Sequence, residues 1–263
     1  MIPRAKAHTL ILAALLSLAL IPAAASSEGS GAAPELERRL SALRDAVYDS
    51  ASPAEIEAAA DAARVMLPSD GERDLLLSRI EYFLARSRNE NGEKKRAAQG
   101  FETAVAAADR YLDGLQTRNA KVGDAAEETA GLLAKAKALS ELVILKDVVF
   151  LIANGPKVPA LAKRILELEP GNVGARLIVA SSRAYPPAVF GGDPKEALRL
   201  ARELMELHPQ GLAKDELFDL RACFATAYEK LQDKANAAAW FAAALELYPR
   251  NRYALDQMGK LKK

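Results

Sequence analysis

Ala244-Leu245-Glu246-Leu247-Tyr248-Pro249 closes a helix-forming run with a proline, and the chain has already written nearly the same segment twice. Ile165-Leu-Glu-Leu-Glu-Pro170 and Leu204-Met-Glu-Leu-His-Pro209 are the earlier copies, with the prolines 39 and 40 residues apart. Proline has no N–H with which to continue a helix, so each copy marks a helix end. A fixed period of about 40 residues signals stacked repeats. Working back from Pro249, Ala244, Phe241 and Ala237 share one helical stripe, at spacings of three and four. Phe224 and Tyr228 lie on the helix before it, with Ala225 permitting close approach of a neighbour. Ala97, Phe101 and Ala104 repeat the second-helix pattern, and Ala60, Ala63 and Pro68 echo it.

These positions resemble the tetratricopeptide repeat (TPR): a small residue and Tyr on a first helix, Ala, Phe and Ala on a second, then Pro. The match runs through Ala225, Tyr228, Ala237, Phe241, Ala244 and Pro249, and departs at Arg221, where that family usually has an aromatic. The resemblance implies an all-α fold of stacked antiparallel helix pairs. It also implies a concave surface lined by the first helix of each pair, suited to a protein or peptide partner.

The composition agrees with helix throughout. The 263 residues are 50% hydrophobic and only 6% aromatic, with alanine and leucine dominant. That is enough apolar material for a substantial interior. A formal charge of +1 gives no global reason to expect nucleic acid or an anionic membrane surface.

Residues 1–25 read as a signal peptide: Arg4 and Lys6, an apolar run Leu10–Ile21, and Ala23-Ala24-Ala25 as a cleavage site. The run is short of the roughly 20 residues needed to span a bilayer, which favours cleavage after Ala25; an uncleaved anchor is the alternative. No cysteine stands there to carry a lipid, so the expectation is a periplasmic or secreted protein without a stable membrane anchor. The single cysteine, Cys223, sits among apolar residues and reads as a small buried side chain. With one thiol there is no intramolecular disulfide, so packing alone must hold the exported chain.

Residues 26–34 are small and polar, a flexible leader to a repeat domain over 35–263. Leu36, Leu40, Leu43 and Val47 form the first helical stripe, and Ser52-Pro-Ala-Glu55 opens the next helix with a capping box. Ser69 with Glu72 repeats that pattern before Leu75–Ala85. Leu142–Ile152 is apolar but for Lys146 and Asp147, which predicts a buried central helix over Leu139–Ala153; a buried strand is the alternative for so β-branched a run. Asp193-Pro194-Lys195-Glu196 restarts a helix after the irregular insertion Pro186–Gly192, which predicts Gly191 or Gly192 at positive φ. Residues 250–261 carry apolar side chains on one side, as a terminal capping helix should.

The block from Pro156 to Gly211 carries a second resemblance. Pro-Lys-Val-Pro-Ala-Leu, Ile-Leu-Glu-Leu-Glu-Pro-Gly-Asn and Phe-Gly-Gly-Asp-Pro-Lys-Glu-Ala are similar to the helical periplasmic T component of TRAP-type transporters. That resemblance implies an accessory that assists a solute-binding protein or holds a small solute in a pore or cleft. The missing lipid-attachment cysteine is a departure from it.

Catalytic chemistry is poorly supplied, and the expectation is a protein that is not an enzyme, with no cofactor and no metal. After the leader there is one histidine, His208, at a helix end, and no metalloprotease, redox-pair, nucleophile-elbow or phosphate-loop pattern. Binding candidates on the first helices are Arg176, Arg183 and Tyr185, then Arg221 and Tyr228, since arginine and tyrosine are common interface anchors. The plain alternative at each is packing or a solvated face. Phe190, an aromatic in a Pro/Gly loop, either plugs a neighbouring groove, the favoured reading, or is presented to a partner.

Overall fold

The computed structural model describes residues 32–118 and 125–262. The signal segment and most of the leader and of the Thr117–Gly123 break lie outside the described residues, among which there is no β-strand. Among those same residues twelve α-helices follow one another as α1 (Ala32–Tyr48), α2 (Pro53–Arg64), α3 (Arg73–Glu90), α4 (Lys94–Arg118), α5 (Ala125–Leu145), α6 (Val148–Asn154), α7 (Lys157–Leu168), α8 (Val173–Ala184), α9 (Pro194–Leu207), α10 (Lys214–Lys230), α11 (Lys234–Leu247) and α12 (Arg252–Leu261). They pack as pairs α1–α2, α3–α4, α5–α7, α8–α9 and α10–α11, with α12 laid on the last. This is the expected TPR-like stack of antiparallel pairs.

The repeated segments fold alike because they are alike. Glu169, His208 and Tyr248, each directly before a repeat proline, adopt φ, ψ of −138, 85; −124, 63; and −133, 86. Proline bars the residue before it from helix, and each preceding helix stops there. Two residues beyond Pro170 and Pro249, Asn172 and Asn251 cap the next helices, accepting from the amides of Ala175 and Ala254. Ser52 makes its capping box with Glu55, and Asp193 caps α9 ahead of Pro194, both as the sequence predicts. Gly191 sits at φ +88. Ser69 is different: α3 starts at Arg73 with no side-chain cap, and the nearby carboxylate of Asp70 accepts from the amide of Glu72 instead.

Phe241, Ala237 and Ala244 are fully buried. Phe224 stacks on Trp240 at 4.3 Å, and Phe241 meets Tyr253 of α12 edge-on at 6.0 Å.

The expected buried helix over Leu139–Ala153 does not form. Lys146 and Asp147 interrupt it, and Asp147 caps a separate seven-residue α6 by accepting from the amide of Phe150 at 2.9 Å. No residue of α6 is buried. Leu142 and Val143 face the core, whereas Ile144, Val148, Val149 and Ile152 are 72%, 56%, 72% and 65% exposed.

The stack also closes on itself. The first helices touch in the order α1–α3–α5–α8–α10, and α10 packs back against α1. In a plain solenoid each repeat contacts only its neighbours, so the open groove expected along the first helices becomes the inside of a ring of five. A dense seam holds the closure. The Tyr248 hydroxyl donates to Asp45 at 2.7 Å, Arg44 pairs with Asp215 at 3.2 Å, and Arg250 binds Asp49 at 2.8 Å. The Asn251 amide, itself buried, donates to the Tyr48 carbonyl at 2.6 Å, and Arg252 donates to the Glu90 carbonyl at 2.8 Å. Tyr48, Phe218 and Tyr248 form an aromatic cluster beneath these bonds.

Candidate functional site

Closure turns polar stripes on three of the inner helices toward a common interior. On α3 the stripe is Tyr82, Arg86 and Glu90, four residues apart; on α5 it is Lys137 and Glu141; on α10 it is Asp219, Cys223 and Thr226. Residues at such spacings share a helix face. The Tyr48 hydroxyl donates to Asp219 at 2.7 Å, while the Arg86 guanidinium lies 4.2 Å over the Tyr48 ring. Arg86 is shared among several acceptors at long range: Glu90 at 3.6 Å, Asp219 at 3.9 Å and the Tyr82 hydroxyl at 3.5 Å. Only charge-assisted bonds near 2.8 Å are strong ones, so this arginine is spread thin.

Burial dominates the electrostatics here. It pushes the Glu90, Glu141 and Asp219 carboxyls above their ordinary range, and Arg86 offsets this only in part. For Glu141 the neighbouring charges of Asp219 and Glu90 add to the upward push. Burial likewise raises the Tyr48, Tyr82 and Tyr185 phenols, and pushes the Cys223 thiol up to about 12. Yet the Asp219 side chain is 32% accessible and Tyr185 is 38% exposed. These groups are stripped of most of their hydration, while Asp219 and Tyr185 keep part of their surface open to solvent.

The candidates from the sequence part company. Tyr185 ends α8 and joins this interior, beside Thr226 and Tyr253, whose hydroxyls are 3.1 Å apart. Arg183 turns the other way and ties down the insertion, donating to the Gly191 carbonyl at 3.0 Å. Phe190, in a 3₁₀ turn over Ala188–Phe190, is 50% exposed and no residue of that turn is buried. Arg221 lies about 200° around α10 from Asp219 and reaches α11, donating to the Ala243 carbonyl and pairing with Glu246 at 3.3 Å. Tyr228 packs against the α8–α10 core and accepts from Arg202 at 3.1 Å. Arg176 caps the carbonyl of Pro170 at 2.8 Å.

Arg86, Glu141 and Asp219 escaped the sequence reading because charged residues on amphipathic helices ordinarily face solvent. The available signal was the four-residue spacing of Tyr82, Arg86 and Glu90, a polar stripe on the first helix of a pair. A crevice of about 390 Å³ opens at the seam, lined by Asp45, Asp49, Lys214, Tyr248 and Arg250 among others. Its charges largely satisfy one another, as described above. Among the described residues no group of His, Cys, Asp and Glu could hold a metal ion, and no helix is long and apolar enough to cross a membrane.

No protein-family model matches the chain, and no curated protein matches it. Among solved structures the chain is similar to TTC0263, a thermophilic TPR protein of Thermus thermophilus. The likeness covers 86% of this chain and 98% of that one, at 15% identity and a TM-score of 0.48.

Proposed function

We propose that the protein is an exported, non-enzymatic scaffold of the periplasm that engages a partner protein through the outward face of the α5–α6 junction. The observation that carries this is the exposure of Ile144, Val148, Val149 and Ile152 on one short stretch. Four exposed apolar side chains so close together cost solubility and mark interaction surfaces. The TPR-like architecture supports the reading, since helix pairs stacked this way present large rigid surfaces to other chains. The leader Met1–Ala25 supports export. The test places a photo-crosslinking residue at Val149 in the native host, with Val65, 87% exposed at the end of α2, as control position. A discrete adduct from position 149 that is absent from position 65, and is lost on Ile152→Asp, is the expected result. The same adducts from both positions, or none, would overturn it.

Ring closure favours one second reading: an accessory of solute transport, similar to a TRAP T component, holding a small solute inside the ring or docking on a solute-binding protein. The polar stripes of α3, α5 and α10, turned toward one another, are the kind of convergent polar groups that small-ligand sites use.

A further inference from the structure

We infer that the bare face of α6 docks against the same face of a second copy of this chain, with the two α6 helices antiparallel across a two-fold axis. The inference rests on the reading of that face as an interaction surface and names its partner.

Val148, Val149 and Ile152 lie three and four residues apart on α6, one stripe of a short helix, and Ile144 stands exposed on the last turn of α5 just before it. Phe150 and Leu151 pack half-buried on the core, so α6 is held from behind. Its ends are fixed as well: Asp147 caps the first turn, and the Asn154 amide donates to the Phe150 carbonyl at 3.0 Å. A face already ordered loses little freedom on binding. The four residues leave roughly 500 Å² uncovered, so two copies bury about 1,000 Å² between them, the lower edge of a specific interface. That area predicts a weak dimer, one that dissociates on dilution.

The charges at the rim point to a second copy as the occupant. Asp147 at one end of α6 and Lys157 just beyond the other are both exposed. Among the described residues neither is in an ion pair, and Lys157 meets only the Asn154 side-chain oxygen, at 2.9 Å. Lys146, by contrast, is already paired with Glu102 at 2.5 Å. A surface that covers the stripe must therefore offer a cation at one end and an anion at the other, about 10 Å or more away along the helix. The antiparallel α6 of a second copy offers that pattern. Each Asp147 then faces a Lys157 across the axis, and Ile152, midway between them in sequence, meets its own copy. A parallel arrangement would set like charges together. Such an isologous contact uses one patch twice and closes at two copies.

The experiment is sedimentation velocity of the full chain purified from its host, over a wide range of concentration, for wild type, Ile152→Asp and Lys157→Glu. Wild type is expected to show a monomer–dimer equilibrium, and Ile152→Asp to remain a monomer with unchanged Tm. Lys157→Glu is expected to weaken the dimer about tenfold, since each change counts twice across the axis and surface ion pairs are individually weak. Register is read separately by thiol crosslinking, because the natural Cys223 is buried. Ile152→Cys should form a disulfide-linked dimer under mild oxidation, and Val65→Cys should not. A dimer that persists in Ile152→Asp, or assemblies larger than two, would overturn the two-fold contact. If wild type stays monomeric while the photo-crosslinker at Val149 captures a different protein, the second copy is refuted and the interaction surface stands. Neither a dimer nor an adduct would overturn both.

Discussion

Glu141 is expected to cost the protein stability. A carboxyl whose folded-state pKa is raised contributes its stability below the unfolded value and loses it as pH rises through the folded value. For Glu141 that window opens near the ordinary 4.5 and extends upward. Glu141→Gln should therefore raise Tm at pH 8 relative to wild type, by about 2–4 °C for each kcal/mol of repulsion and desolvation relieved. At pH 4, where the wild-type side chain is largely neutral, the two proteins should melt together. Thermal unfolding at both pH values checks this, and a constant difference would mean that Glu141 acts by packing alone. A charge kept where it destabilises the fold is ordinary at sites where function and stability compete. Neither Arg221 nor Tyr228 has this character, since each finds partners on the outer layer.

The helices carry a second lesson in α5 and α6. Leu142–Ile152 is apolar but for Lys146 and Asp147, and hydrophobicity alone assigns it to the core. Asp147 overrides that assignment: its carboxylate satisfies the Phe150 amide, which a continuous helix would have given to a carbonyl one turn back. Once the helix is interrupted, Leu142 and Val143 stay buried and Phe150 and Leu151 pack half-buried on the core, while Val148, Val149 and Ile152 turn outward. Asp147→Ala removes the cap, and about 1 kcal/mol of local stability should go with it. Because α6 buries none of its residues, the loss should appear as faster hydrogen exchange over Val148–Asn154 with little change in global Tm. A full cooperative loss of Tm would show instead that α6 supports the core.

Closure is the property of the assembled ring. Asn251 is its most economical test, since one buried amide joins two jobs: its Nδ2 donates to the Tyr48 carbonyl at 2.6 Å and its Oδ1 accepts from the Ala254 amide at 3.0 Å. Asn251→Ala loses both and strands a buried carbonyl, which should cost about 2–4 kcal/mol. Asn251→Asp keeps the cap acceptor, loses the donor and sets a buried carboxylate oxygen against the Tyr48 carbonyl. If the seam closes the ring, both variants should speed exchange over residues 44–50 on the far side of the sequence, while α5 and α7 keep their protection. Protection of residues 44–50 unchanged in both would mean that the seam contributes nothing to closure.

What the residues settled alone is everything that depends on neighbours within a turn or two. The helix ends at Pro170, Pro209 and Pro249, the caps at Ser52 and Asp193, the turn at Gly191 and the Ala–Phe–Ala packing stripe all follow from local sterics and hydrogen bonding, and they suffice to name the pair-stacking architecture. The interior was decided elsewhere. Tyr48 meets Asp219 across 171 residues, and Tyr248 meets Asp45 across 203. Such meetings depend on the small rotation each pair adds to the last. Accumulated over five pairs, that rotation brings α10 back to α1, and no local pattern encodes the sum. Whether Glu141 faces solvent or the inside of a ring is set by that closure, because a charged helix face looks the same in sequence until another helix stands opposite it.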